Sequence, residues 1–296
     1  VPDLISVIVT TYDRVDALDA VLRSLAGQGD RQFEVVVADD GSGPETARLV
    51  ERRRSQSGVP IAHVRHERRG FRAAEIRNRA IRECRGDYCI FLDGDCLVRP
   101  DFVAQHRRLA ERGWLVAGNR ALLSAALTRA ALRQKLALEQ WDLADWIGQR
   151  LMGGLNRLAP LLQLPLGPLR KSRPHAWQGA RSCNLAVWRS DLDRVDGFDA
   201  RFSGWGREDS DLLIRLLRAG VRRKDGTFAT GVLHLWHAEA DRSGLAANED
   251  RLAAVIAGKP VRAERGLSTL DREAVRETAG AASAGELAAA GAAVRT

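Results

Sequence analysis

Tyr88-Cys89-Ile90-Phe91-Leu92-Asp93-Gly94-Asp95 is the stretch on which the reading of this chain turns. An apolar run of strand length ends in two carboxylates separated by one glycine. Alternate residues of an extended chain point to the same side, so Asp93 and Asp95 can converge on one ligand. Gly94 lets a bulky group approach the backbone between them. Two hard oxygen ligands at the carboxyl end of a buried strand suit Mg²⁺ or Mn²⁺ carrying a phosphate-rich substrate. Taken alone, Asp-Gly-Asp is equally a turn leaving a strand, and the flanking sequence decides between the two.

Upstream, Ile5-Ser6-Val7-Ile8-Val9-Thr10-Thr11 is β-branched and mostly apolar, as a central parallel strand should be. Tyr12-Asp13-Arg14 leads into a helical pattern with Leu18, Val21, Leu22 and Leu25 on one face. A second strand is expected at 33–38, with Asp39-Asp40-Gly41-Ser42-Gly43 as the polar turn at its end. A helix opens at Pro44, where proline fits the first turn. A third strand is expected at 61–66 and a basic helix at 71–84. This β-α-β-α-β-α-β order predicts an α/β protein with an open, mainly parallel sheet and helices on both faces.

In such sheets ligands bind outside the carboxyl ends of the strands. Thr10-Thr11-Tyr12, Asp39-Asp40 and Asp93-Gly94-Asp95 all fall there, and a mere turn does not predict that common placement. There is no Gly-x-Gly-x-x-Gly after the first strand and no Walker Gly-Lys-Ser/Thr. A dehydrogenase or P-loop NTPase is therefore disfavoured.

Downstream, residues 121–150 have a helical pattern with Leu132, Leu136, Trp141 and Trp146 among the apolar positions. A Pro/Gly/Leu-rich segment and the cluster Arg170-Lys171-Ser172-Arg173 follow. The block 121–175 is expected to be a helical insertion, either a flap packed on the protein or an element lying on an anionic bilayer surface. It separates residues 1–120, the nucleotide-binding half of a catalytic domain, from residues 176–250, the acceptor-binding half. In that second half a buried helix is expected from about Glu208, closed by Gly220. A last strand, 231–237, places His234 and His237 three apart. Residues 251–296 read as a tail, and 278–296 lacks an apolar face and is expected to fray or be disordered.

The net charge of +8 favours acidic partners such as nucleotides, nucleic acid or an anionic membrane. It is carried almost entirely by arginine, the lysines being Lys135, Lys171, Lys224 and Lys259. No aromatic-interleaved basic strand or zinc-finger spacing supports a nucleic-acid binder. Cys84, Cys89, Cys96 and Cys183 form no Cys-x-x-Cys pair and are expected to be reduced thiols in a cytoplasmic protein. The first strand begins almost at once after Leu4, so no leader is expected. The most apolar stretch, 151–169, is interrupted by Arg157, Pro160, Pro165 and Pro168 and does not qualify as a membrane span.

Together these pieces resemble the inverting family 2 glycosyltransferases of GT-A fold. The amino half matches in Val9-Thr10-Thr11-Tyr12, Ala38-Asp39-Asp40-Gly41-Ser42, Arg77-Asn78 and Gly86-Asp87-Tyr88 through Asp95. The carboxyl half matches in Gly197-Phe198-Asp199 and Trp205-Gly206-Arg207-Glu208-Asp209. The latter is similar to the Trp-Gly-x-Glu-Asp segment of galactosyltransferases and chondroitin-type polymerases.

The resemblance implies a nucleoside-diphosphate sugar donor, by family default a UDP-sugar, and a glycan or lipid-linked glycan acceptor, and the basic helical insertion suggests that the acceptor lies at the cytoplasmic face of the inner membrane. It implies that Thr10, Tyr12 and Asp40 line the nucleoside pocket, with Asp39 the runner-up to Asp40. Arg77 would reach the diphosphate or orient Asp93. Asp95 would coordinate Mn²⁺ or Mg²⁺, with Asp93 near the ribose or a metal-bound water, and His234 or alternatively His237 as a further ligand. Asp209 would be the general base, with Glu208 binding an acceptor hydroxyl and Trp205 and Gly206 forming a platform for a sugar face. At a helix N-terminus the macrodipole favours both carboxylates in ionised form. The competing expectation is a nucleotide-sugar or carbohydrate-binding module of the same fold without catalysis, which loss of these carboxylates would suggest. Asp93, Asp95, Glu208 and Asp209 are all present.

Overall fold

The computed structural model describes residues 1–239 and 241–270. Strands β1 (Ile5–Thr11), β2 (Phe33–Asp39), β3 (Ile61–Arg65) and β4 (Tyr88–Asp93) run parallel, joined by helices α1 (Val15–Ala26), α2 (Pro44–Gln56) and α3 (Ala73–Glu83). Thr10 of β1 is in register with both Ala38 and Asp93, which brings the polar strand ends to one level. Because side chains alternate across a strand, the sheet feeds two cores. Val7, Val9, Val35, Val37, Ile90 and Leu92 pack on one face with Leu18, Val21, Leu22 and Leu25 of α1. Ile8, Val36, Cys89 and Phe91 pack on the other with Ile76, Ala80 and Ile81 of α3.

After β4 the chain changes sheets. Gly94 donates its N–H to the Thr10 carbonyl at 2.7 Å, and a Cβ there would stand 2.8 Å from that oxygen, so only glycine fits. Strand β5 (Cys96–Val98) then starts a second, three-stranded sheet. Helix α4 (Phe102–Leu109), β6 (Trp114–Ala117) and β7 (Arg120–Leu122) follow. Then come α5 (Ala125–Gln134), α6 (Leu143–Leu151), β8 (Asn184–Trp188), α7 (Arg189–Arg194) and α8 (Glu208–Arg218). The last elements are β9 (Arg222–Asp225), β10 (Val232–His234) and α9 (Leu245–Gly258). The large sheet has seven strands in the order β3-β2-β1-β4-β8-β6-β9, and the small sheet is ordered β5-β10-β7. β8 lies antiparallel to β4 and β6, so the sheet is mainly but not wholly parallel.

Between 121 and 150 the single helical pattern is broken. Ala121 belongs to β7, α5 stops where Lys135 turns left-handed at φ 52°, and α6 starts afresh at an Asp142–Asp145 capping box. The tryptophans face the protein: Trp141 and Trp146 meet at 5.1 Å and Trp146 is buried in the core. The outward stripe of α6 is instead Leu143, Ile147 and Leu151. The final strand is shorter than expected, ending at His234, because Trp236 turns away to donate its backbone N–H to Thr128. Helix α9 runs through Arg251, where the tail was expected to begin, and the 278–296 stretch lies outside the described residues.

Candidate active site

The site is built where the two sheets meet. β10 lies antiparallel to β5 with His234 opposite Cys96, and Leu235 donates its N–H to the Asp95 carbonyl at 2.9 Å. That pairing carries a late histidine to the Asp-Gly-Asp turn. Ligand atoms of Asp93, Asp95, Cys96 and His234 all lie within 4.8 Å of one another. His234 Nε2 is 3.5 Å from Asp95 Oδ1, and His237 Nε2 is 3.6 Å from Oδ2 of the same carboxylate. Arg14 approaches that carboxylate at 3.7 Å. Burial pushes the His234 imidazole below its ordinary value against the pull of Asp95, which keeps a lone pair free. Burial also pushes the Cys96 thiol well up, with Cys183 beside it adding to the effect. Thiol sulfur is a soft donor that a hard divalent ion does not favour, so the donor set for such an ion is two carboxylates and one or two imidazoles. Such a set fits Mn²⁺ or Mg²⁺.

The residues expected on the nucleotide side divide into two groups. Tyr12 is half-buried beside this turn, and the Arg68 guanidinium lies over its ring at 5.1 Å. Thr10 Oγ1 accepts from Arg77 Nε at 3.1 Å. Asp39 and Asp40, by contrast, are fully buried. Asp39 accepts from the Ser42 N–H at 2.7 Å and pairs with His63 at 3.0 Å. Asp40 meets His66 Nε2 at 2.5 Å and accepts from the Arg72 backbone N–H at 2.8 Å. A ligand N–H must therefore share the Asp40 carboxylate with His66 and Arg72. Although burial opposes its charged form, the hydrogen bond to Asp40 and the Glu75 carboxylate 3.7 Å from Nδ1 hold His66 above its ordinary value. His66 in turn is the main cause of a Glu75 pKa lowered to about 2.

His66 escaped the sequence reading, although the strand-end rule points to it: it is the residue just beyond β3. Arg72, whose N–H completes the Asp40 cradle, precedes α3 and carried no motif of its own.

The acceptor-side carboxylates arrive on the first turn of α8. Glu208 and Asp209 are joined to the strand ends by Arg77, which projects from α3 and is buried. Arg77 NH1 donates to Glu208 at 3.0 Å and NH2 to Asp93 at 3.3 Å, and Asp209 Oδ1 stands 4.0 Å from NH1. The guanidinium also lies over the Phe198 ring at 5.4 Å. Asp209 Oδ1 is buried and has no hydrogen-bond partner among the described residues. Glu208 departs from the expected ionised state. Burial, reinforced by Asp209, lifts its pKa to about 7 against Arg77 and the helix N-terminus. Desolvation of a fully enclosed carboxyl outweighs the macrodipole, whose effect is of order 1 kcal/mol or less at most sites. Trp205 and Gly206 sit immediately before this turn, with Arg242 over the Trp205 ring at 4.8 Å.

The model of glycosyl transferase family 2 matches residues 6–153, half of the sequence. The chain belongs to glycosyl transferase family 2. The family 2 match is followed by one to the N-terminal domain of galactosyltransferase over residues 170–238. The validoxylamine A glucosyltransferase of Streptomyces hygroscopicus subsp. jinggangensis is 30% identical over 264 residues, which cover 84% of this chain and 60% of that protein. The chain thus spans less than two thirds of that relative's length.

The fold is GT-A, as in two solved structures. GalNAc-T7 with UDP, GalNAc and Mn²⁺ aligns with a TM-score of 0.60 at 18% identity, covering 85% of this chain and 48% of that one. A mannosyltransferase from Pyrobaculum calidifontis with GDP-Man and Mn²⁺ aligns with a TM-score of 0.54 at 18% identity, covering 93% and 80%.

Proposed function

We propose that this family 2 glycosyltransferase is a metal-dependent, inverting enzyme that moves a hexose from a UDP-sugar to a hydroxyl of a glycan or lipid-linked glycan. The observation that carries this reading is the buried guanidinium of Arg77, which meets the strand-end carboxylate of Asp93 as well as Glu208 and Asp209 on the first turn of α8. Asp95, Asp93 and His234 would hold Mn²⁺ or Mg²⁺, with His237 the alternative imidazole, and the ion would neutralise charge on the departing diphosphate. Tyr12 and Thr10 face the nucleoside, and Asp40, oriented by His66, accepts from a base N–H. Trp205 and Gly206 present a flat apolar surface to the acceptor sugar.

The acceptor oxygen attacks the anomeric carbon from the face opposite the diphosphate. The carbon–oxygen bond to the diphosphate breaks, and the acceptor proton passes to the Asp209 carboxylate. Configuration inverts as a result. Glu208, held by Arg77 and exchanging its own proton near neutral pH, binds an acceptor hydroxyl beside the base.

No helix among the described residues is long and apolar enough to cross a membrane. The exposed stripe Leu143, Ile147 and Leu151, with Arg150 and Arg157 nearby in sequence, supports a peripheral contact with an anionic cytoplasmic membrane face, where a lipid-linked acceptor would reside.

A thermal-shift series with UDP, GDP and dTDP, each with and without Mn²⁺, tests the donor reading. Stabilisation by UDP that requires the metal is the expected result. Equal melting temperatures in all arms would overturn it.

A further inference from the structure

Helix α9 lies outside every motif of the catalytic half, yet its first two turns are fastened to the 203–207 loop. Asn248 is fully buried, and its side-chain amide donates to the carbonyls of Ser203 and Gly206, both at 3.0 Å. The same amide oxygen accepts from Arg251 at 3.1 Å, so the group is oriented as well as paired. The two carbonyls flank Gly204 and Trp205. A Cβ on Gly206 would meet Leu245 Cδ1 at 3.1 Å, which shows how closely the loop rides on the helix.

The loop is one that does not hold its own shape. Gly204, Gly206 and Arg207 all have positive φ, at 77°, 101° and 78°. For arginine that conformation is sterically costly and persists only where neighbours over-determine it. Gly204 donates its N–H to the Phe71 carbonyl at 2.9 Å, while Trp205 and Arg207 are held from α9 and the turn before it. Arg207 pairs with Glu249 at 2.7 Å, and Arg242 covers the Trp205 ring. Helix α9 is itself anchored at both ends. Leu252 and Val255 pack against Phe202 and Ile214, and Arg218 of α8 donates to the carbonyls of Val255 and Ile256 at its far end.

We infer that α9 is a brace for the acceptor loop and that Asn248 is its pin, a positioning residue that sets how Trp205 and the Glu208–Asp209 turn meet an acceptor sugar. The acceptor part of this inference rests on the function proposed above; the bracing itself does not. Mutation of Asn248 removes two donors from a loop about 40 residues away in sequence, so its effect belongs on the acceptor side. Among the described residues, the Asn248 side chain makes no hydrogen bond to a donor strand end.

The test uses the full chain with Asn248→Ala, and Asn248→Asp as a variant of the same shape that cannot donate. Amide hydrogen exchange is followed at 203–209 and in β4. Calorimetry measures Kd for UDP with Mn²⁺. Steady-state transfer from UDP-glucose is measured to a panel of p-nitrophenyl glycosides. The expected result is exchange at 203–209 faster by tenfold or more with β4 unchanged, UDP affinity within twofold, and KM for the acceptor raised at least fivefold. Unchanged loop exchange in whichever variant stays folded, judged by the retained UDP affinity, would overturn the brace. Faster loop exchange with an unaltered acceptor KM would overturn the positioning role. If the wild type transfers to no glycoside, the acceptor reading fails while the exchange data still decide whether α9 braces the loop.

Discussion

Arg77 and Glu208 stand 131 positions apart in sequence and form a buried charge pair at 3.0 Å. Few contacts in the chain do more to join its two ends. The pair costs desolvation on both sides, and its geometry repays that cost only because Asp93, Asp209 and Thr10 share the same guanidinium. Arg77→Met should therefore destabilise the fold by about 3–5 kcal/mol near pH 8, where Glu208 is left charged and unpaired. The loss should shrink near pH 6, where Glu208 takes up a proton. Denaturant melts at the two pH values check this, and Glu208→Gln in the Arg77→Met background should recover part of the loss.

Asp209→Asn keeps shape and volume while removing the base. Turnover should fall on the order of 10²–10⁴-fold, with UDP affinity in Mn²⁺ changed only a few-fold. Steady-state kinetics alongside calorimetry measure both. Turnover at the wild-type rate would assign the proton to another group.

The raised pKa of Glu208 fixes the sign of a pH effect. Its folded value of about 7 lies above the ordinary glutamate value of 4.5. The folded state therefore binds the proton more tightly, and this group's contribution is fully present below about 4.5 and lost as pH rises through 7. Asp30, Glu34, Asp39, Glu75 and Asp199 have lowered values and act in the opposite sense at lower pH. The difference between wild type and Glu208→Gln isolates the single group. The variant should gain on the wild type between pH 5 and 8, by at most roughly 3 kcal/mol. Parallel stability curves would refute the assignment.

Metal removal should act through the Asp93–Asp95–His234 cluster. EDTA, Asp95→Ala and His234→Ala should each abolish the Mn²⁺-dependent part of the UDP thermal shift. His237→Ala should weaken it less, since its imidazole is more exposed and on the far oxygen of Asp95. Equal losses from the two histidines would make both of them ligands.

Ile147→Ser with Leu151→Ser removes the outward stripe of α6 without touching Trp146. Flotation with vesicles containing anionic lipid should fall severalfold, while binding of UDP stays the same. Absence of wild-type flotation would show that the stripe serves another surface.

The donor side was legible because its signals are local. Strands β1 and β2 are rich in β-branched residues, β4 is an apolar run, and each of the four strands ends in polar residues whose level is set by parallel register. The small sheet was not legible. Strands β5, β7 and β10 have three residues each, too few for a period to register. Yet it is this sheet that delivers His234 to Asp95. From sequence Arg77 is expected to reach the diphosphate or orient Asp93, and it does meet Asp93, but nothing within α3 announces that Glu208 and Asp209 of α8 share the same guanidinium. The charge state of Glu208 was misjudged for a similar reason. A helix N-terminus is visible in sequence, whereas burial of the Glu208 carboxyl beside Arg77 and Asp209 is a product of tertiary packing. Helix α9 begins in a stretch whose alanines and charges carry only a faint apolar stripe, and its use lies in Asn248, a residue type that gives no signal in a helix interior.

The position of β4 in the large sheet bears on how the chain is made. One edge of Tyr88–Asp93 is satisfied by β1, already synthesised, but the other pairs with β8, which leaves the ribosome only after the whole block from β5 to α6. Until Asn184–Trp188 emerges, an apolar strand carries an open edge, the arrangement most prone to pairing with another chain. A fragment ending near residue 120 would keep that edge for good. It should aggregate instead of serving as a free-standing nucleotide-binding module, so the two halves of this enzyme are halves of one folding unit.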